Sequence, residues 1–454
     1  MNFYTLIAKY PQLAMAEPKK NTSISRLFLL TIAFAGLSLF SYGQNTNDTS
    51  QNLTLEQCID YALHHQPVLQ RSLVYESIAR TNNAINLAGW LPQVSASGNL
   101  IHNLQQSNSS STTNTSTQSS AGSSSTGSGG RFVNTFIPGV TASQTLFNST
   151  LVYALKSAPL YVKQAQQVTD STKINIVSSV SKSFYNLLQT LQQINVLKED
   201  TARLGKNVQD TYHQYVGGIV DEMDYEEATI TLNNSKAQLK QATENISPQY
   251  ATLKQSMGYP SEKQFNVSFD TLQMMKSIAI DTAQQLQYEK RIEFQAIRTQ
   301  KDIQDQAINY YRFSFLPTVS AFFNYNLAFE NNNYNNLLSN SYPSSLIGLS
   351  FNVPIFTGFA RLNNLKKAKL EQQVNNWNEI NLKSNIYTEY KTALANYKGN
   401  LYNMELLQKN ETMAKRVYFV VTLQYKQGIV PYLNVITAES NLITSEINYT
   451  NALF

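Results

Sequence analysis

The sequence predicts a mixed α and β membrane protein, assembled twice over from one plan of lipid-facing strands alternating with very long helices. Three observations carry this: four landmarks recur in the same order in the two halves, period-2 alternation runs through the segments between the first two landmarks, and long stretches place apolar residues at mixed three- and four-residue steps. Composition agrees. Of 454 residues only 14% are charged, against ~25% in ordinary soluble proteins, while 27 Tyr and 21 Phe accompany long Asn, Gln, Ser and Thr tracts. The implied surface is neutral-polar and rich in aromatic groups.

The first element is an address. Lys19, Lys20 and Arg26 precede a 14-residue apolar stretch, Leu27 to Phe40, and the small residues Ser41 and Gly43 suit cleavage before Gln44. Residues 1–43 are therefore expected to be a secretory signal peptide, with Met1 or Met15 as the start. Its removal takes 4 basic and 1 acidic residues from 35 and 30, so the mature balance is 31 minus 29, or +2. No Lys/Arg-rich stripe is left to attract nucleic acid. No apolar run of ~20 residues remains for a membrane helix.

The single cysteine, Cys58, excludes a disulfide framework, a cysteine zinc site and an iron-sulfur cluster, and it lacks the small preceding residue of a lipid-modified cysteine. The four histidines lack the spacing of a helical metal pair, so no metal or other cofactor is expected.

The repeat is the most informative feature. Ala84-Ile85-Asn86 with Leu91-Pro92-Gln93-Val94-Ser95-Ala96 returns as Ala307-Ile308-Asn309 with Leu316-Pro317-Thr318-Val319-Ser320-Ala321. Thr145-Leu146-Phe147-Asn148-Ser149 is echoed by Pro354-Ile355-Phe356-Thr357-Gly358, and Tyr215-Val216-Gly217-Gly218-Ile219-Val220 by Tyr425-Lys426-Gln427-Gly428-Ile429-Val430. An alanine follows ten residues after the second glycine in each copy, Ala228 and Ala438. The spacing shortens in the second copy because the first carries a Ser/Thr/Asn/Gly insertion over about Ser107 to Gly130, a composition that buries no core and reads as a mobile loop.

Each copy then follows the same order. From Leu346 to Ile355, the residues Ile347, Leu349, Phe351, Val353 and Ile355 share one face, and Val319, Ala321, Phe323, Tyr325, Leu327 and Phe329 behave likewise. Alternation over about ten residues is the pattern of a tilted membrane strand, apolar toward lipid and polar toward a lumen. The first copy is weaker, with Val94, Ala96, Gly98 and Leu100 in one strand and Val140, Ala142 and Leu146 in the other; polar loops, Ser-rich in the first copy and Glu330 to Ser345 in the second, join the strands. Pro92 and Pro317 set the bend from helix into strand.

Helices follow over residues ~148 to 215 and ~357 to 425, marked by Val177, Val180, Phe184, Leu187, Leu191 and Ile194, then Tyr390, Leu394, Tyr397, Leu401 and Met404. At 1.5 Å per residue such a helix reaches ~100 Å. Pro159 lies near the start of the first, where a helix tolerates it or bends. Gly218 and Gly428 mark hairpin tips, first of all as turn residues, and second helices return over ~220 to 257 and from ~430 onward.

An open four-stranded sheet leaves two edges bare, and lipid satisfies no backbone group. A barrel of about eight strands is the smallest practical one, so several chains must share a wall: two give eight strands, three give twelve. The domain plan is a signal peptide (1–43), an amino-terminal and helical segment (44–91), a β-hairpin (92–147) with its Ser-rich loop (107–130), a helical hairpin (148–258), a linker and helix opening the second copy (259–316), a β-hairpin (317–356) and a helical hairpin (357–454).

The duplicated Leu-Pro at strand entry, Val353-Pro354-Ile355-Phe356-Thr357-Gly358 at strand exit and the Tyr-x-x-Gly tips resemble the TolC family of outer-membrane efflux proteins. The opening Leu53-Thr54-Leu55-Glu56-Gln57-Cys58-Ile59-Asp60-Tyr61-Ala62-Leu63, followed by Gln66-Pro67, is similar to the start of the mature family chain. The resemblance covers residues 53 to 454. It implies a homotrimer with one 12-stranded outer-membrane barrel, continued by a helical barrel into the periplasm. It also implies docking onto an inner-membrane transporter through a periplasmic adaptor protein, with no catalysis by the duct itself. The cargo is not legible, because a wide conduit selects through its partner.

The resemblance places the periplasmic entrance at the tips. Asp224, six after Gly218, matches a family acidic residue that restrains the closed state, and Tyr425, three before Gly428, matches a family tyrosine there. The family prototype has an arginine two residues after the second glycine and aspartates six and nine after it. This chain has Val430, Asn434 and Thr437. The expectation is a less charged, less cation-selective entrance, closed by packing and neutral hydrogen bonds, with Asp221 or Glu222 as an alternative acidic ring.

Bland roles stand beside these: Asp224 favours a helix macrodipole, and Tyr425 packs between helices. Two rivals are weaker. An enzyme lacks support, since Gly127 to Gly130 has no Lys-Ser/Thr of a phosphate loop and no Gly-x-Ser-x-Gly occurs. A secreted or surface coiled-coil adhesive protein explains the helices but not the paired lipid-patterned strands.

Overall fold

The computed structural model describes residues 51–104, 133–268, 280, 282 and 285–454. The expected signal peptide (1–43) and Ser-rich loop (107–130) lie outside the described residues. In chain order the described elements are β1 (Gln51–Leu53), α1 (Leu55–His65), α2 (Pro67–Leu87), β2 (Gln93–His102), β3 (Asn134–Phe147), α3 (Ser149–Val216), α4 (Glu222–Met257), β4 (Phe265–Val267), α5 (Ile292–Phe313), β5 (Thr318–Asn331), β6 (Ser341–Asn352), α6 (Ala360–Lys426) and α7 (Tyr432–Leu453). The chain divides into two compact units: the described residues within 1–70, 172–287 and 386–454, and those within 71–171 and 288–385.

The second unit holds an antiparallel sheet in the order β2-β3-β5-β6. Its register settles the two faces, because directly paired residues of an antiparallel ladder point the same way. Val94 pairs with Ala142, Ala142 with Phe323 and Phe323 with Ile347; Ala96, Val140 and Tyr325 form the next row, and Leu100, Phe136 and Phe329 a third. The face expected to be apolar is therefore shared by all four strands, unbroken along the Val94 row and interrupted by Gln144, Ser345 and Ser341, which pair with Ala321, Tyr325 and Phe329. The described residues do not cover it: Ile347 is 79% exposed and Phe351 66%. The opposite face carries rows such as Ser95, Thr141 and Asn324, with Ser95 Oγ and Thr141 Oγ1 2.8 Å apart. Among the described residues β2 and β6 are the edge strands.

Three local departures from the expected strands have physical causes. β6 begins at Ser341 and ends at Asn352, so Val353 and Ile355 lie beyond it and the loop shrinks from the expected Glu330–Ser345. Pro354 supplies no ladder donor, whereas Pro343 is accepted because β6 is an edge. A register shift between Thr145 and Phe147 puts Phe147, not Leu146, opposite Val319; one extra residue in a strand shifts which side chain meets the partner. Pro138 lies inside β3, paired with Gly98 on one side, while the ladder to β5 is interrupted at Ile137 and Pro138.

α3 and α6, of 68 and 67 residues, match the long segments read from the sequence to within three residues at each end. α3 continues through Pro159; Ser157 Oγ donates to Tyr153 O at 2.7 Å and Asn83 Nδ2 to Ala158 O at 2.7 Å around it.

The first unit contains the main core. Val177, Val180, Phe184 and Leu187 of α3 pack with Cys58, Ile59 and Ala62 of α1, Leu253 and Met257 of α4 and Phe265 of β4. Burial pushes the Cys58 thiol up to about 12, so it stays a neutral packing group. Thr54 caps α1 in a reciprocal box with Gln57. Gln66 Nε2 donates to Gln255 O and Ser256 O at the end of α4, satisfying carbonyls that a helix end leaves open. The parallel pairing of β1 with β4 has no counterpart among the strands that the sequence predicts, because three residues are too few to show alternation. α6 is far more exposed than α3: Met404 is buried, Tyr390, Leu394, Tyr397 and Leu401 are half-buried, and Trp377 is 70% exposed.

Candidate functional site

Both hairpin tips belong to the first unit and have the same backbone. The turn after α3 holds Gly218 at φ 71 and the turn after α6 holds Gly428 at φ 72, a left-handed conformation that strains any residue with a Cβ. Gly218 N–H donates to Tyr215 O at 2.9 Å and Ile219 N–H to Gln214 O at 2.8 Å; Gly428 N–H donates to Tyr425 O at 2.8 Å and Ile429 N–H to Gln424 O at 2.9 Å. These are paired carbonyl-closing bonds of a Schellman end. The returning helices start at equivalent positions: Asp221 caps α4, its carboxylate accepting from Glu222 N–H at 2.7 Å, and Pro431 opens α7.

Side chains then distinguish the tips. Tyr425 is half-buried, and its hydroxyl donates to Gln214 Oε1, joining α6 to α3. Its ring lies 5.2 Å from Tyr432, beside a buried group of Ala228, Tyr432 and Val435. Burial, with the Asp224 charge adding, pushes the Tyr425 hydroxyl up, so it remains a donor. Tyr215 is exposed and stacks on Tyr225 at 6.3 Å. The alanines Ala228 and Ala438 are both buried, where a small residue lets helices approach closely.

Asp224 is half-buried in the first turn of α4, and its carboxyl is pushed up by burial and then by Glu227 and Asp221. Its charge adds to the upward push on the Tyr425 hydroxyl, which itself bonds Gln214. Val430 is half-buried, as is its counterpart Val220; Asn434 and Thr437 are exposed, one turn apart on α7, flanking the buried stripe of Val435, Ala438 and Leu442. The structure thus ties Tyr425 to Gln214 rather than to Asp224, and leaves Asn434 and Thr437 exposed on α7.

Sequence reasoning passed over a charged group higher on the same helices. Asp200 and Arg203 of α3 meet Glu439 and Glu446 of α7, with Arg203 Nε donating to Glu439 Oε1 at 3.2 Å. The available signal was positional: Glu439 and Glu446 are seven apart, on the face of α7 that carries Val435 and Leu442.

Among the described residues no group of three or more His, Cys, Asp or Glu is arranged to hold a metal ion, and no helix is long and apolar enough to cross a membrane. The latter says nothing of strands.

Residues 58–259 match the sequence model of a family described as outer membrane efflux protein. The outer membrane protein TolC of Vibrio cholerae serotype O1 is 20% identical over 224 residues, 48% of this chain and 51% of that protein, so the chain spans about half the length of the curated relative it matches. Among solved structures, the fold is similar to the outer membrane protein VceC of Vibrio cholerae (TM-score 0.70, 15% identity, 88% of this chain and 92% of that one). It is also similar to CusC (TM-score 0.70, 17%, 94% and 98%) and to the CmeC outer membrane channel of Campylobacter jejuni (TM-score 0.68, 19%, 94% and 90%). At these identities the likeness establishes the fold.

Proposed function

We propose that the chain, whose residues 58–259 match the model of the outer membrane efflux protein family, is one subunit of a passive exit duct in the outer membrane. Three copies would contribute four strands each to a twelve-stranded barrel, with helices reaching into the periplasm toward an adaptor and an inner-membrane transporter that supplies the energy. The duct itself catalyses nothing and needs no cofactor. The two halves would descend from one duplicated unit, a reading supported by the repeated order of helix, two strands, long helix and returning helix.

One observation carries this reading: a sheet with a largely apolar, exposed face, a more polar face behind it, and two edge strands that have no partner among the described residues. In water such a sheet would aggregate, and in lipid its edges must find partners. A secreted coiled-coil stalk accounts for the long helices but gives that face no solvent.

The entrance would be formed by the tips, with Gly218 and Gly428 as turns, Tyr425 and Asp224 as restraining contacts, Asp221 as cap and candidate acidic ring, and Val430, Asn434 and Thr437 as neutral pore positions. Detergent-purified protein should be recovered from the outer-membrane fraction as a trimer and conduct ions in planar bilayers with weak cation selectivity. Recovery as a soluble single chain would overturn the duct. Strong cation selectivity with block by multivalent cations would overturn the neutral entrance.

A further inference from the structure

Charges removed from water must be matched locally or neutralised by a proton. Asp200 (0% exposed), Glu439 (1%) and Glu446 (9%) are all buried around one guanidinium. Arg203 reaches Asp200 Oδ1, donates from Nε to Glu439 Oε1 at 3.2 Å and lies 3.8 Å from Glu446 Oε2. Asn207 Nδ2 adds a donor to Glu439 Oε2 at 2.8 Å.

The other packed elements do not restore balance. From α6, Lys415 lies 3.6 Å from Glu446 but also 2.7 Å from Glu411, and the neutral Tyr418 ring sits 5.4 Å from the guanidinium. From α4 the facing group is Ser235, 3.1 Å from Thr201 Oγ1. Four carboxylates thus meet two cations. Asp200 Oδ2 is buried without a donor, and the neighbouring acid is Glu446. Two carboxyl groups can bond one another only by sharing a proton.

We infer that this cluster is a proton-dependent clamp between the first helical hairpin (α3 and α4) and the second (α6 and α7): one proton held by Asp200 and Glu446 keeps the hairpins together, and its loss lets them part. The inference rests on the duct reading for its consequence, the widening of the entrance. It would place the main restraint on α3, fifteen residues before Gly218 and about 22 Å along the helix, rather than at Val430 beside the second tip. Burial and the neighbouring Glu446, opposed by Arg203, push the Asp200 carboxyl up to about 7, so the proton exchanges near neutrality.

The test uses the full chain reconstituted in planar bilayers, with Asp200→Asn as a mimic of the protonated acid. Wild-type protein should show a ratio of open to closed events that rises about fivefold between about pH 6 and pH 7, the response of one proton exchanging near the top of that range. Asp200→Asn should stay in the closed pattern at both. A pH response unchanged in Asp200→Asn, or a conducting wild type with none, overturns the clamp. A second measurement needs no conduction: spin labels at Ala202→Cys and Ser440→Cys, both exposed, should separate as pH rises in wild type and hold their distance in Asp200→Asn. Silent bilayers with a pH-dependent label distance would sink the duct and keep the clamp, whereas conducting bilayers with a fixed distance would do the reverse.

Discussion

The hydroxyl of Tyr425, in the last turns of α6, donates to Gln214 Oε1 in the last turns of α3, so the side chains just above the two tip turns hold one another directly. Tyr425→Phe removes the donor and leaves a part-buried amide oxygen without it, at a cost of about 1 kcal/mol. Amide hydrogen exchange at residues 214–219 and 424–429 should accelerate in the variant, while exchange in the core around Phe184 stays unchanged.

Gly428 occupies a left-handed conformation with nothing within 4 Å of where a Cβ would sit, so any penalty is confined to the backbone. Gly428→Ala should destabilise the second tip by about 1 kcal/mol, and Gly428→Asn by less, because asparagine tolerates this region better. Gly218→Ala should behave alike, since both tips close through the same hydrogen bonds. Local exchange rates of the tip amides report the difference; equal stability of the alanine and asparagine variants would contradict it.

Gly348 on the edge strand β6 lies under the ring of its partner Phe322, and a Cβ there would meet ring carbon Cζ at 2.7 Å. Gly348→Ala should therefore cost about 1–3 kcal/mol by overpacking. Adding Phe322→Leu should recover part of the loss, a non-additive result in a double-mutant cycle read by thermal unfolding of the detergent-solubilised protein.

Glu379 of α6 accepts from Lys301 of α5 at 2.7 Å and is paired with Lys383 at 2.9 Å; these bonds hold its carboxyl down at about 2 against an ordinary 4.5. A depressed carboxyl stabilises the fold above its ordinary value and loses that contribution as pH falls from 4.5 toward 2. Glu379→Gln should lower stability at neutral pH by no more than about 1 kcal/mol and flatten the acid limb of the unfolding curve. Asp200 has the opposite sign: a raised carboxyl favours the fold below 3.8 and loses that advantage as pH climbs to about 7.

Which faces the strands present was readable from the chain alone, because side-chain direction alternates at every residue and Ile347, Leu349 and Phe351 declare the apolar side without reference to a partner. The long helices and their glycine tips were readable for the same reason, being marked by local periodicity and by a backbone conformation that glycine supplies cheaply at Gly218 and Gly428. The bulge beside Phe147 was not, since an extra residue in one strand shows only against the register of another.

What tertiary structure decided is the pairing of residues far apart in sequence. Tyr425 bonds Gln214 rather than Asp224, and Arg203 meets Glu439, 236 positions away. A helical pattern says which face is buried, but the rotation and axial offset of one helix against another determine which charge it meets. Those two quantities depend on packing over the whole interface, so the sequence by itself determined the elements and their faces, and the folded chain selected the contacts among them.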